Sequence, residues 1–486
     1  LEPRDDLACF YSRAYPLEES YLCAPKIMMK YLHALRSYLS EQSSTLGQLL
    51  RIGTPIILGQ LGIISVNFAD TIMIGKYHTD ALAAASFVNN IYALFFILGL
   101  GFSYGLTPLI AKAHARSDAT RLGRLLRHST QLNLLITLGL LLSLLGIYAG
   151  MDLFRVPESL VPLIRPYFFL QLTSLVIFMA SAGMKQFFDG IGRTMVPMWI
   201  ILSSNLLNIL GNYLLIFGKW GCPELGLFGA GLSTLLSRIY MLVALWVVLH
   251  ASRSLRAVYR ACLERRFLPA YFGRLFRLGL PIGIQTGVEA GAWTFAVIIV
   301  TPLGEYPLAV HQIVCTLTNL GFLVYYGIGA ATTILVSAAH ARGDQGEIRR
   351  VVRSGLLLAE LSAFVVLLGI ILTRDSLGYI FSDDVEIILM TALAVIPMAL
   401  YQPADALQVI YSNALRGMED VKPMALYACL VHLGLAPCLC TLFGFGLGLD
   451  GGAIQLTAIW SAFPISLLVL GLILRGRFRR IVARLA

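Results

Sequence analysis

The chain has 486 residues, 57% of them hydrophobic and only 13% charged, and its mean hydropathy is +0.76. A soluble globular domain carries about 25% charged residues, so this composition excludes a water-soluble fold and points to a chain that crosses a membrane many times. Its net charge of +10 does not call for nucleic acid, because the basic residues collect between apolar runs, where they set membrane topology.

The first 27 residues, LEPRDDLACFYSRAYPLEESYLCAPKI, are acidic and mixed. They lack the basic, apolar and small-residue layout of a signal peptide. Met28 or Met29 offers a natural start, and residues 1–45 are expected to be a cytoplasmic extension, weakly structured over 1–27. Apolar runs follow near 46–75, 81–111, 129–150, 160–188, 195–217 and 226–250. A second set lies near 275–303, 308–338, 354–373, 386–415, 423–447 and 451–474. The runs are continuous rather than alternating, which selects helices over a β-barrel. The prediction is an all-α polytopic membrane protein with twelve transmembrane helices. Six lie in 46–250 and six in 275–474, with a basic linker at 251–274 and a basic tail at 475–486.

The two sets are repeats. RIGTP at 51–55 resembles RLGLP at 277–281, a shift of 226 (277 − 51). Leu82-Ala83 recurs as Leu308-Ala309, AHARSD at 113–118 as AHARGD at 339–344, and Pro197-Met198 as Pro423-Met424, all at that shift. An even number of spans per repeat makes both halves enter from the same side, as parallel repeats. Lys and Arg crowd the loops after spans two, six and eight and the C-terminal tail, for example Lys112, Arg116, Arg260, Arg349 and Arg477. The positive-inside rule then places both termini in the cytoplasm, with the chain in the inner membrane.

No catalytic residues are expected. The eight cysteines form no CxxC pair and no Cys/His metal spacing, so they read as packing residues. GFSYG at 101–105 matches a nucleophile elbow but sits in an apolar helix rather than a strand–turn–helix. GLGLDG at 446–451 matches a dinucleotide fingerprint without a βαβ unit around it.

A charge at the bilayer centre costs about 2.5–3.5 kcal/mol on insertion scales, so it is usually functional. Three acids stand out. Glu289 lies two residues from Gly287, about 200° round the helix, and thus opposite a packing stripe of Gly283, Gly287 and Gly291. Its carboxylate is expected to face a protein-lined cavity, flanked by Gln285 and Trp293. Asp405 shares a helix face with Tyr401 and Gln408. Pro403 removes a backbone donor beside it, so the helix is expected to kink or unwind there, making Pro403 a hinge. Asp70 shares a sector with Asn67. The repeat shift carries Glu289 onto Ile63 and Asp405 onto Met179, so the Glu–Asp pair belongs to the second half, where ion chemistry is expected to concentrate.

RLGLPIGIQTGVEAG, LAVHQIV at 308–314, YQPADALQVI at 401–410, ALRGMEDVKPM at 414–424, FADTIMIGK at 68–76 and GKWGCPELGLFGAG at 218–231 resemble the MATE (multidrug and toxic compound extrusion) family, in its NorM-type bacterial branch. The resemblance covers about 46–474, departing in the N-terminal extension and in AHAR of both loops. It implies two pseudo-symmetric six-helix bundles of the MOP-superfamily fold, opening alternately to each side, and export of cationic amphiphilic small molecules in exchange for Na⁺ or H⁺. No cofactor is implied, and no metal beyond Na⁺ at Glu289 and Asp405. Those two acids and Tyr401 match the family's cation-coupling positions. Asp70 matches its first-helix acid and Asn208 a polar position of its fifth helix. With Asn67, Gln285 and Gln408 these are expected to line the substrate and proton pathway. A drug cation, Na⁺ or H⁺ would compete for the carboxylates, directly or through bending at Pro403. The expected partners are these cations and the bilayer, without nucleic acid, the protein acting as a monomer. The nearest rival is a lipid-linked oligosaccharide flippase of the same superfamily. That activity would want a basic cavity, whereas the intramembrane charges singled out here are acidic.

Overall fold

The structure, a computed structural model, describes residues 18–151, 156–264 and 267–484, with side chains from Ser43 onward except at position 320. The described residues up to Gln48 form a compact unit of their own. The part of segment 1–27 before residue 18 lies outside the described residues, and from Glu18 the backbone is helical, not weakly structured as expected.

Among the described residues, twelve helices are long and apolar enough to cross a membrane. They are α1 (Ser43–Tyr77), α2 (Thr79–Ala115), α3 (Ala119–Ala149), α4 (Glu158–Gly190), α5 (Met195–Phe217) and α6 (Gly226–Ala251). The second six are α7 (Pro269–Leu303), α8 (Glu305–Arg342), α9 (Gln345–Ile380), α10 (Val385–Gly417), α11 (Val421–Gly446) and α12 (Gly452–Arg484). A short helix, Arg256–Leu263, occupies the basic linker and packs on α3. Large apolar side chains at helical spacing, such as Leu135, Leu138 and Leu142 on α3, are exposed. Such a surface is stable only against hydrocarbon.

The repeated AHAR(S/G)D segment is a helix-to-helix turn. After α2, Ser117 takes a left-handed φ of 55°, and Asp118 accepts the Arg121 N–H at 2.8 Å to cap α3. After α8, Gly343 has φ 76° and Asp344 accepts the Glu347 N–H at 2.8 Å to cap α9. Glycine takes this conformation at little cost, and the aspartates satisfy free helix-end donors. The halves also pack alike: α4 touches α2, α3 and α6, and α10 touches α8, α9 and α12. Thr107 donates to Gln186 at 2.7 Å across α2–α4, and its counterpart Thr333 donates to Asn413 at 3.0 Å across α8–α10.

The other repeated motif, R-x-G-x-P, marks where the halves meet. α2 packs on α7 and its last part on α8. A Cβ on Gly279 of α7 would lie 2.8 Å from the Phe102 carbonyl oxygen of α2, and one on Gly53 of α1 would lie 3.1 Å from the Gly327 carbonyl oxygen of α8. These two glycines are 226 residues apart, so one sequence feature builds both sides of the junction. The expected stripe on α7 is partly correct. Gly283 and Gly287 meet Phe102 and Leu98, but Gly291 meets nothing within 4 Å. The expected unwinding at Pro403 does not occur: α10 is helical through both Pro397 and Pro403. Irregular backbone lies instead at the Tyr104–Gly105 turn in α2 and in two π-helical stretches of α11, Leu430–Leu435 and Leu442–Gly446.

At the end carrying the arginine-rich loops, an ion cluster ties the halves together. Lys112 of α2 and Arg274 of α7 reach Glu419 at 3.0 and 2.6 Å. Glu419 sits in the α10–α11 loop with a left-handed φ of 65°, an unfavourable conformation for a residue with a side chain. Burial alone would push its carboxyl up. Hydrogen bonds from Arg274 and Lys112, with their charges, outweigh this and hold it below the ordinary glutamate range. A depressed carboxylate stabilises the fold above its unfolded value, and that contribution is lost as pH falls through the folded value. Glu419→Gln is therefore expected to cost about 1–3 kcal/mol at neutral pH and to weaken the acid-side fall of the thermal midpoint of the purified protein. An unchanged acid limb would show that the cluster does not hold the halves.

Candidate functional site

Two polar cavities open between the helices, one in each half. The C-terminal one, about 330 Å³, brings together Gln285, Glu289, Tyr401, Asp405 and Gln408 from α7 and α10. This is the constellation expected from the sequence. Glu289 faces the cavity because its helix turns the opposite face, through Gly283 and Gly287, onto α2. Its Oε1 accepts hydrogen bonds from Gln285 Nε2 at 2.9 Å and Gln408 Nε2 at 3.1 Å. Asp405 is 4% exposed, and its Oδ2 accepts no hydrogen bond among the described residues. One side of the cavity is aromatic: Trp293 stacks on Phe463 at 5.5 Å and stands 6.0 Å from the Tyr401 ring.

Two groups here were missed in the sequence. His432, in the first π-helical stretch of α11, stands 3.9 Å from Glu289. Arg416, near the end of α10, donates to Gln285 Oε1 at 3.2 Å, so Gln285 bridges the guanidinium and Glu289. Among the described residues, Arg416 makes no ion pair within 4.0 Å with Glu289 or Asp405. Two carboxyl groups thus share the cavity with one guanidinium. A buried charge without a partner is costly.

The N-terminal cavity, about 430 Å³, holds Asn67, Asp70 and Asn208, as expected. Asp70 accepts a hydrogen bond from Asn212 at 2.5 Å, and Asn212 also donates to Asn208 at 3.3 Å. Asn212 was not singled out in the sequence. Nor was Arg238, whose position in the middle of the sixth apolar run is the same signal that marked the acids. Gln60, Leu100 and Tyr104 line both cavities. Near them lie a Lys185–Asp189 ion pair at 2.8 Å and Tyr326, whose ring is 6.0 Å from that of Tyr104. The view that the intramembrane charges are acidic is therefore corrected: Lys185, Arg238 and Arg416 all line cavities. A shortage of basic groups is no argument against a lipid-linked substrate.

A family model described as MatE matches the chain twice, over residues 55–214 and 281–441, the second match starting 226 residues after the first. The chain belongs to the MATE family. A probable multidrug resistance protein NorM from Bradyrhizobium diazoefficiens is 32% identical over 446 residues, covering 90% of this chain and 93% of that protein. A protein of the same description from Neisseria meningitidis serogroup B is 25% identical, covering 87% and 91%. The fold matches a MOP superfamily transporter from Pyrococcus furiosus with a TM-score of 0.80 at 18% identity, over 91% of this chain and 96% of the other. It also matches a multidrug resistance MATE family transporter in an outward-facing conformation, TM-score 0.78 at 18% identity, over 91% and 96%. As a NorM-type MATE protein the chain is a multi-pass membrane transporter and not an enzyme; it is ion-coupled and uses no cofactor.

Proposed function

We propose that this MATE protein exports cationic amphiphiles by antiport against Na⁺ or H⁺, with Glu289 and Asp405 as the shared coupling site and Tyr401 beside them. Like the NorM relatives, it is a multidrug efflux transporter. The carrying observation is the charge balance of the C-terminal cavity: two carboxylates, one guanidinium held off by Gln285, and an Asp405 oxygen without a hydrogen-bond donor. A carboxylate with one oxygen lacking a donor, among neutral oxygen ligands, suits a hard cation or a proton, and the aromatic wall suits an organic cation. Asp70, Asn67 and Asn208 form a second polar station in the other half. The arginine-rich end is the cytoplasmic one, with both termini there, in the inner membrane. The Lys112–Glu419–Arg274 cluster and the Gly279–Phe102 contact close that end. Transport then consists of two bundles, 46–250 and 275–474, of a single monomer parting at one end and closing at the other, with Pro403 the flexible point of α10.

The test is transport of ethidium in proteoliposomes with Na⁺ and pH gradients imposed separately. One gradient, acting alone, should drive ethidium movement against its own gradient. Movement that neither gradient accelerates would remove the antiport reading.

A further inference from the structure

A groove that the transport reading does not use lies between α3, α4, α6 and the linker helix Arg256–Leu263. It measures about 500 Å³, and Leu126, Ala180, Met184, Leu242 and Leu249 make its walls apolar. Val243 and Trp246 of α6 also line it and are 52% and 47% exposed. On a membrane-spanning helix that exposure opens the groove toward hydrocarbon.

The groove sits at the depth of the lipid headgroups. The linker helix follows α6 at the arginine-rich end and carries Arg256 and Arg260 exposed. Trp246 stacks on His250 at 5.5 Å, and Tyr259 of the linker meets the same ring edge-on at 4.7 Å. Such amphipathic rings favour the membrane–water boundary. The linker helix is fixed on its other face. Gly123 of α3 meets the Val258 carbonyl so closely that no Cβ fits between them, and just beyond the helix the Leu268 N–H donates to His128 Nε2 at 3.0 Å. The linker helix already touches α3, so the groove does not close by its settling further.

Arg127 of α3 is the one charged side chain lining the groove among the described residues. Its Nη1 is buried without a hydrogen-bond partner, and no carboxylate among those residues lies within 4.0 Å of it. Glu264, just past the linker helix, is paired with Arg124 at 3.1 Å instead. A buried guanidinium nitrogen without an acceptor is costly. Gln131, one turn on and lining the same groove, adds an amide donor. A guanidinium fork matches phosphate oxygens.

We infer that this groove binds an anionic glycerophospholipid from the leaflet at the arginine-rich end, its acyl chain between α4 and α6 and its phosphate on Arg127. The occupant joins two chemistries that stand side by side here: apolar walls open to the bilayer, and an unpaired cation at headgroup depth. A drug cation suits the walls but is repelled by Arg127. Free phosphate suits Arg127 but leaves the walls empty. Bound there, the lipid bridges α6 and the linker helix, the segment that leads into α7 and the second half.

Native mass spectrometry of the purified full-length protein, titrated with palmitoyl-oleoyl phosphatidylglycerol or the matching phosphatidylcholine, reads the site. The first phosphatidylglycerol is expected to bind about tenfold more tightly than phosphatidylcholine, the scale of a charge-assisted hydrogen-bond pair. In Arg127→Gln that preference should vanish, with phosphatidylcholine affinity within about twofold of the parent's. Arg127→Lys keeps the charge without the planar fork. It should keep part of the preference, and it serves if the glutamine variant does not fold. Ala180→Phe fills the groove while leaving Arg127 in place and should weaken both lipids severalfold. A preference that survives Arg127→Gln, or equal uptake of the two lipids by the parent, would overturn the assignment, the second by showing filling without choice of headgroup. Undiminished phosphatidylglycerol binding in Ala180→Phe would overturn it too, leaving only a surface attraction to the arginines.

Discussion

Ion-driven ethidium transport in everted vesicles is expected to fall at least about tenfold in Glu289→Gln and in Asp405→Asn, a loss worth ~1.4 kcal/mol or more of coupling, with expression unchanged. The reasoning concerns charge rather than shape. Glu289 uses one oxygen to accept from Gln285 and Gln408, and a glutamine side chain offers an oxygen in the same place. The Asp405 Oδ2 atom has no donor to lose among the described residues. Both substitutions therefore remove a charge that the surroundings do not fully pair, at little structural cost. Thermal stability should be equal or higher, because burying an unpaired carboxylate is unfavourable. Such a gain in stability with a loss of activity is the signature of a strained functional site. Full transport in both variants would dismiss the C-terminal cavity as the coupling site.

Gly279→Val is expected to have the second-largest effect. The added Cβ would lie 2.8 Å from the carbonyl oxygen of Phe102, and a backbone atom cannot swing aside as a side-chain tip can. The α2 and α7 helices must then separate at the arginine-rich end. A packing error of this kind costs about 1–3 kcal/mol. Here it falls on the junction between the halves, where it also strains the Lys112–Glu419 and Arg274–Glu419 contacts. The closed arrangement of that end should be depopulated. This is measurable as faster alkylation of a cysteine introduced at Leu278, a buried α7 residue beside Gly105 where the smaller side chain adds no clash of its own, with transport lowered severalfold. Unaltered alkylation would mean that the junction yields without opening.

Much of this was legible before any fold was known, for identifiable reasons. Twelve spans follow from continuous apolar runs, because a backbone in hydrocarbon must satisfy its own hydrogen bonds. The pseudo-symmetry follows from the 226-residue shift. Its repeated motifs proved to be a pair of capped turns at Asp118 and Asp344 and the glycine contacts between halves. Glu289 and Asp405 stood out as charges within apolar runs, and helical period put Tyr401 and Gln408 on the face of Asp405. The expected unwinding at Pro403 is absent, because packing on α8, α9 and α12 keeps α10 helical across it. Arg238 and Arg416 were passed over because arginine was read as a marker of loops.

The sequence by itself determined the class, the span count, the repeat and the acids, since each depends on composition or on spacing within one helix. Which charges meet was decided only by the tertiary structure. Gln285 stands between Arg416 and Glu289, Asn212 reaches Asp70 from α5 across 142 residues of chain, and Arg238 shares a cavity with Asp70. Coulomb energy depends on distance and on the medium between charges, and neither is written in the order of residues along one chain.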